Sequence, residues 1–226
     1  MKKIILITIA SVASVFAFAQ GNKNVQSEAN GNAQQEQTIA AESNFTSFGN
    51  NWVEAGLGFA FQTDTGLIGY AKGNYNIFNK DVFNVDVTGG ASYMDMHNQI
   101  FNLNASIVPS YKFYTYKGID ITFYGNIDMG YGTFWVQNDG YSHISYAIGA
   151  GVEFAYQKLF VKPFYNWVNY ELFSNYDTVR NHVVGVELGL KVTDNIATIA
   201  SYSHWFVNAN AFDNEDRMTI GVRYLF

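Results

Sequence analysis

From Trp52 onward, apolar and polar residues alternate singly in run after run to the end of the sequence. Period two is the mark of a β-strand with one face in apolar surroundings. The first run sets Val53, Ala55, Leu57, Phe59 and Phe61 against Glu54, Gly56, Gly58, Ala60 and Gln62. The second, from Leu67 to Phe78, carries Lys72, Asn74 and Asn76 on its polar face. The third opposes Phe83, Val85, Val87 and Tyr93 to Asn84, Asp86, Thr88 and Ser92. In the fourth, Phe101, Leu103, Ile107 and Tyr111 oppose Asn102, Asn104, Ser106 and Lys112. In the fifth, Ile121, Phe123, Ile127, Met129 and Tyr131 oppose Asp120, Thr122, Asn126 and Asp128.

The sixth run switches parity, with Ile144, Tyr146, Ile148 and Phe154 against His143, Ser145 and Glu153. The seventh, Phe160 to Tyr170, is less regular and puts Phe164 and Val168 on the face of Lys162 and Asn166. The eighth sets His182, Val184, Val186, Leu188 and Leu190 against Asn181, Glu187 and Lys191. The ninth, "IATIASYSHWFV", is ambiguous in parity and leaves the facing of Tyr202 and His204 open. The tenth, "MTIGVRYLF", opposes Met218, Ile220, Val222, Tyr224 and Phe226 to Thr219, Gly221 and Arg223.

No helical period of useful length interrupts these runs. Their polar faces are rich in Asn, Ser, Thr and Gly rather than Lys and Glu, which suits a narrow lumen better than a soluble sandwich's exterior. The pattern predicts an all-β fold: a closed antiparallel up-and-down transmembrane barrel of ten strands, or of eight if the seventh and ninth runs do not span. Aromatic residues near both strand ends, among them Phe59, Tyr93 and Tyr131 at one rim and Phe78, Phe83 and Phe154 at the other, match interfacial girdles. "NKDV", "YTYKG", "QKL" and "TDN" read as short periplasmic turns, whereas "WVQNDGYS", "ELFSNYDTVR" and "NANAFDNED" read as longer external loops. Pro109 and Pro163 fall inside strands, where each removes a ladder hydrogen bond and a bulge is expected.

Ahead of the first strand, residues 1–19 combine Lys2 and Lys3, an apolar run and Ala17-Phe18-Ala19, the layout of a cleaved secretory signal peptide. Residues 20–51 are rich in Asn, Gln, Ser and Ala and read as a polar, disordered periplasmic leader, leaving residues 52–226 for the barrel. Of the 13 Lys and Arg, two lie in residues 1–19, so 11 remain against 19 Asp and Glu, a net charge of −8. That balance offers no electrostatic footprint for nucleic acid. The chain has no cysteine, so neither disulfides nor thiolate metal sites are expected.

Signal peptide, polar leader, alternating strands and a terminal "RYLF" together resemble the small outer-membrane β-barrels of Gram-negative envelopes, the OmpA-like and opacity-type group. The resemblance is architectural and covers residues 52–226. It implies Sec-dependent export to the bacterial outer membrane, a monomer, and contact with outer-membrane lipid and lipopolysaccharide. It also implies that Ile220, Val222, Tyr224 and Phe226 form the signal read by the barrel-assembly machinery.

Inward-facing charges gather toward the periplasmic half: Glu54, Asp86, Asp120, Glu153 and Glu187 with Lys112, Lys162, Lys191 and Arg223. Buried charges need partners, so these residues are expected to form a salt-bridge belt filling the lower lumen. The alternative is a charge-lined ion path. His143-Ile144-Ser145 resembles the His-x-Ser pair of lipid A deacylases, but Glu153 lies too far along the strand for a relay. Asp95-Met96-His97 resembles elements of the omptin proteases, without the matching acidic pair across the mouth; Asp213, Glu215 and Asp216 lie in another loop. No catalytic residue, metal site or cofactor is therefore assigned. The expectation is a non-catalytic barrel with an envelope-structural or adhesin-like role, with a narrow pore as the alternative and a hydrolase third. External acids at Asp64, Asp95, Asp139, Glu171, Asp177, Asp213, Glu215 and Asp216, with Arg180 and interleaved Tyr141, Phe173, Tyr176 and Phe212, leave three readings of the outer mouth open: a cationic or carbohydrate extracellular ligand, divalent cations that bridge to lipopolysaccharide, or a solvated loop surface alone.

Overall fold

A computed structural model describes residues 44–96, 99–116, 118–136, 139–172, 178–208 and 213–226. The expected signal peptide (residues 1–19), most of the expected leader, His97, Phe173, Tyr176, Asp177 and Phe212 lie outside them. The described residues form ten strands: β1 (Trp52–Phe61), β2 (Thr65–Lys80), β3 (Phe83–Asp95), β4 (Gln99–Tyr116), β5 (Ile119–Val136), β6 (Asp139–Tyr156), β7 (Leu159–Leu172), β8 (Val179–Lys191), β9 (Ile196–Asn208) and β10 (Glu215–Leu225). Each pairs antiparallel with its sequence neighbours, and β1 closes on β10 with Val53 opposite Tyr224. Closure satisfies every strand edge, the condition a β-structure must meet to sit in hydrocarbon. The fold is a closed ten-stranded antiparallel barrel, and the seventh and ninth runs both contribute full strands.

The apolar faces point outward. Leu57, Ile107, Ile127, Ile148 and Ile220 are all more than half exposed, a continuous band that a water-soluble surface does not tolerate. No described helix is long and apolar enough to cross a membrane; the strands do the crossing. An arginine at Ile127, midway along β5 between Ile107 and Ile148, is expected to cost about 2–4 kcal/mol, and one at Phe78, on the outward face near the turn, about 0–1 kcal/mol. Urea unfolding of the barrel from lipid vesicles measures both. A loss below about 1 kcal/mol for Ile127→Arg would place that residue outside the hydrocarbon.

The ninth strand resolves its parity through register. Tyr202 lies opposite Val186 and Met218, so Tyr202 and His204 face out while Ala197, Ile199 and Trp205 face in. The register is unbroken across both prolines. The β4–β5 ladder skips from Ile107 to Ser110, and the β6–β7 ladder from Phe164 to Val161, around the missing N–H groups. The bulges occur elsewhere, between Asn76 and Phe78 in β2 and between Lys112 and Tyr114 in β4. The stretch expected as the loop "WVQNDGYS" is mostly strand: pairing continues to Val136 opposite Asp139, with Phe134 and Tyr141 stacked 5.2 Å apart. The strands themselves project here in place of a long loop.

Candidate functional site

The polar faces of the strands line a lumen filled in layers, described from the end that carries the described termini. Residues 44–51, assigned from sequence to the leader, run into this end. Phe45 packs on Phe160 with ring centroids 5.2 Å apart and joins a buried cluster with Ala155, Ala197 and Ile199. Its N–H donates to the Gln157 carbonyl at 2.7 Å, while the Gln157 N–H donates to Asn44 Oδ1 at 2.6 Å. Phe48 lies against Tyr124, ring centroids 4.8 Å apart. Gly49 adopts a φ of +72°, which glycine tolerates without a Cβ penalty, and turns the chain toward β1. Just past the turn, the Asn50 carbonyl accepts from Asn74 and the Asn51 side chain accepts from the Asn76 N–H, each at 2.8 Å.

Two of the sequence-predicted belt acids bond to this segment. Glu153 accepts from both hydroxyls of Thr46 and Ser47 and from the Ser47 N–H. Asp86 accepts from the Gly49 N–H at 3.2 Å and from Asn76 Nδ2 at 2.7 Å. Nothing in the sequence period points to Thr46 or Ser47, because the segment is irregular and carries no alternation.

Above it lies an ion network. Arg223, fully buried, donates from Nε to Glu54 at 2.9 Å, and its Nη2 lies 2.7 Å from Glu54 and 3.1 Å from Glu187. Lys72 bridges the same two acids at 3.2 and 3.5 Å, and Lys162 reaches Glu187 at 3.1 Å. Tyr70 donates to Glu54 at 2.7 Å, and the Arg223 guanidinium stacks 4.0 Å from the Trp52 ring. The network follows from register. Glu54 stands opposite Arg223 on one side and Lys72 on the other, and Glu187 stands opposite Lys162. Lys72 and Tyr70 are members that sequence reasoning left out of the belt. Lys112 pairs instead with Asp120 at 2.9 Å, and Lys191 with the turn residue Asp194 at 3.7 Å, both away from the central network.

Toward the outer end, Ala147, Val168 and Val183 form an apolar layer with Phe164, Tyr170 and Trp205 against it. Over this floor opens a cavity of about 140 Å³. Its lining includes Asn102, Phe134, His143, Tyr170, Asn181 and Trp205, with Glu215 and Arg217. Arg217 pairs with Glu215 and stacks 3.8 Å over the Trp205 ring. His143 hydrogen-bonds Asn102 through Nε2 at 3.0 Å.

Of the catalytic constellations weighed from sequence, the His143-Ile144-Ser145 pair does not meet Glu153, and the Asp95-Met96-His97 element lies partly outside the described residues. Glu153 is bonded to Ser47 and Thr46, whereas His143 lines the outer cavity. Glu215 faces inward to Arg217, but its neighbour Asp216 faces outward to Tyr202 and His204, at 2.6 and 2.8 Å. His182 accepts or donates at 2.6 Å with Tyr165, also on the outer face. Among the described residues no group of three or more His, Asp or Glu is placed to hold a metal ion. Of the terminal-strand residues, Ile220, Val222, Tyr224 and Phe226 are exposed on the lipid side.

No known protein family matches the chain, and no curated protein matches it. Solved structures that resemble it are outer-membrane barrels. One is the outer membrane protease OmpT from Escherichia coli, 10% identical, with a TM-score of 0.45 over 82% of this chain and 99% of that one. Another is Neisserial surface protein A, 11% identical, with a TM-score of 0.41 over 78% and 97%. A third is a loop-deletion mutant of OmpT, an outer membrane protein of Vibrio cholerae, 16% identical, with a TM-score of 0.37. The match covers 78% of this chain but spans only 59% of the Vibrio protein.

Proposed function

We propose that this chain is a non-catalytic bacterial outer-membrane barrel with a closed lumen, serving an envelope-structural or surface-interaction role. The observation that carries the reading is the fully buried Arg223 held between Glu54 and Glu187, with Lys72 and Lys162 completing the layer. Every charged side chain of this layer is paired with another across a narrow lumen, which leaves no ring of unpaired charge to draw ions through, whereas selective pores line their path with uncompensated charge or carbonyls. Residues 44–51 below and the Val168–Val183 layer above add two further closures. The dispersal of His143, Glu153, Glu215 and Asp216 to separate layers and faces supports the non-catalytic half of the reading, since a relay requires hydrogen-bond contact.

On this reading the lipid face of β10, with Ile220, Val222, Tyr224 and Phe226, is the part offered to the barrel-assembly machinery after Sec export. The outward band meets outer-membrane lipid and lipopolysaccharide. Bilayer recording of the refolded chain tests the closed lumen. The expected result is silence or brief, irregular current; steady ohmic channels would establish the narrow-pore alternative.

A further inference from the structure

We propose that the outer vestibule is a binding site for a neutral, hydroxyl-rich solute of monosaccharide size. Two buried polar atoms in its wall carry this. His143 is 3% exposed and Asn181 4%, yet His143 Nδ1 and Asn181 Oδ1 have no hydrogen-bond partner. Such atoms are costly to leave bare and mark a place where a partner belongs. Both are acceptors. The Asn102 oxygen can only accept, so His143 Nε2 donates to it, and the neutral ring then presents a lone pair at Nδ1. The missing partner therefore brings donors.

Charge narrows the class further. Glu215 and Arg217 pair with each other, so the cup presents no net charge to a ligand. Phe134, Tyr170 and Trp205 line it with ring surface, the kind of apolar wall that takes a C–H face while a few polar groups fix orientation. A cavity of about 140 Å³ would hold about four to five waters or one sugar-sized ring. The apolar floor of Ala147, Val168 and Val183 ends the cup below, so a bound solute stays rather than passes. In that last respect the proposal rests on the closed lumen.

The test is saturation-transfer NMR on the refolded full chain in detergent micelles. The probes are methyl glycosides of glucose, galactose, mannose and N-acetylglucosamine, with choline chloride and sodium lactate as charged comparators. At least one glycoside is expected to bind. Asn181→Leu, which keeps the side chain's shape but removes the acceptor, is expected to weaken it about tenfold. Val207→Trp, which fills the cup from the position opposite Asn181, is expected to abolish binding and serves if Asn181→Leu does not fold. Absence of glycoside binding, binding of charged probes alone, or binding that survives both substitutions overturns the site. Glycoside binding together with steady conductance would overturn the closed lumen and leave the site standing.

Discussion

Replacing Arg223 with methionine is expected to destabilise the barrel by about 3–5 kcal/mol, the usual cost of removing one partner from a buried ion pair. Glu54 is almost fully buried and loses both its charge-assisted hydrogen bonds from the guanidinium. Glu187 loses one of its cations but keeps Lys162 and Lys72. Lys72 cannot take over for Glu54, because it already spans the two acids and its single ammonium lacks the planar fork that grips a carboxylate twice. Arg223→Lys is therefore expected to recover only part of the loss. The double change Glu54→Gln, Arg223→Met removes the stranded charge with the arginine while Glu187 keeps Lys72 and Lys162, and should be more stable than Arg223→Met alone. Urea unfolding in vesicles, followed by tryptophan fluorescence, to which Trp52 beneath the guanidinium contributes, reports all three. A loss below about 1 kcal/mol for Arg223→Met would mean that the lysines carry the network unaided.

The sequence discloses the facing of most strands because each lipid-facing position must be apolar and each lumen-facing position is under no such rule. Leu57, Ile127, Leu188 and Ile220 are legible for that reason alone. The ninth strand is not, and the structure supplies the cause. Ala197 and Ile199 face inward yet are apolar, because Phe45 and Phe160 put an apolar cluster in the lumen beside them. Period two fails where the interior stops being polar.

The charge layer is legible as composition but not as partnership. Parity tells which acids and bases point inward, while the stagger between strands decides who meets whom. Register brings Lys72 to Glu54 and carries Lys112 and Lys191 off to Asp120 and Asp194. Glu153 and Asp86 find hydroxyls and an N–H of residues 46–49, partners that no strand pattern announces. The vestibule was invisible for a related reason. Asn102, His143, Asn181 and Trp205 come from four strands and read individually as ordinary lumen residues until closure sets them around one space.

Removing residues 44–50 is expected to open the lower lumen to water, and the chain's lack of cysteine makes the effect measurable. Ala155 is 1% exposed and lies in the cluster that Phe45 caps. An Ala155→Cys chain is thus a single-thiol reporter in an otherwise thiol-free protein. Burying the rings of Phe45 and Phe48 contributes about 3–6 kcal/mol against leaving them exposed. The Glu153 hydrogen bonds to Thr46 and Ser47 add to this. Local opening of a segment held that firmly is rare, so a membrane-impermeant maleimide should label the reporter on the order of 100-fold more slowly in the full chain than after the deletion. Phe45→Ala with Phe48→Ala is expected to fall between the two, because the backbone bond from Phe45 to Gln157 and the Gly49 turn remain. Equal labelling with and without residues 44–50 would mean that the segment does not close the barrel. A full chain that labels slowly would assign it a sealing role that the ion network above cannot supply, since Ala155 lies on the termini side of that layer.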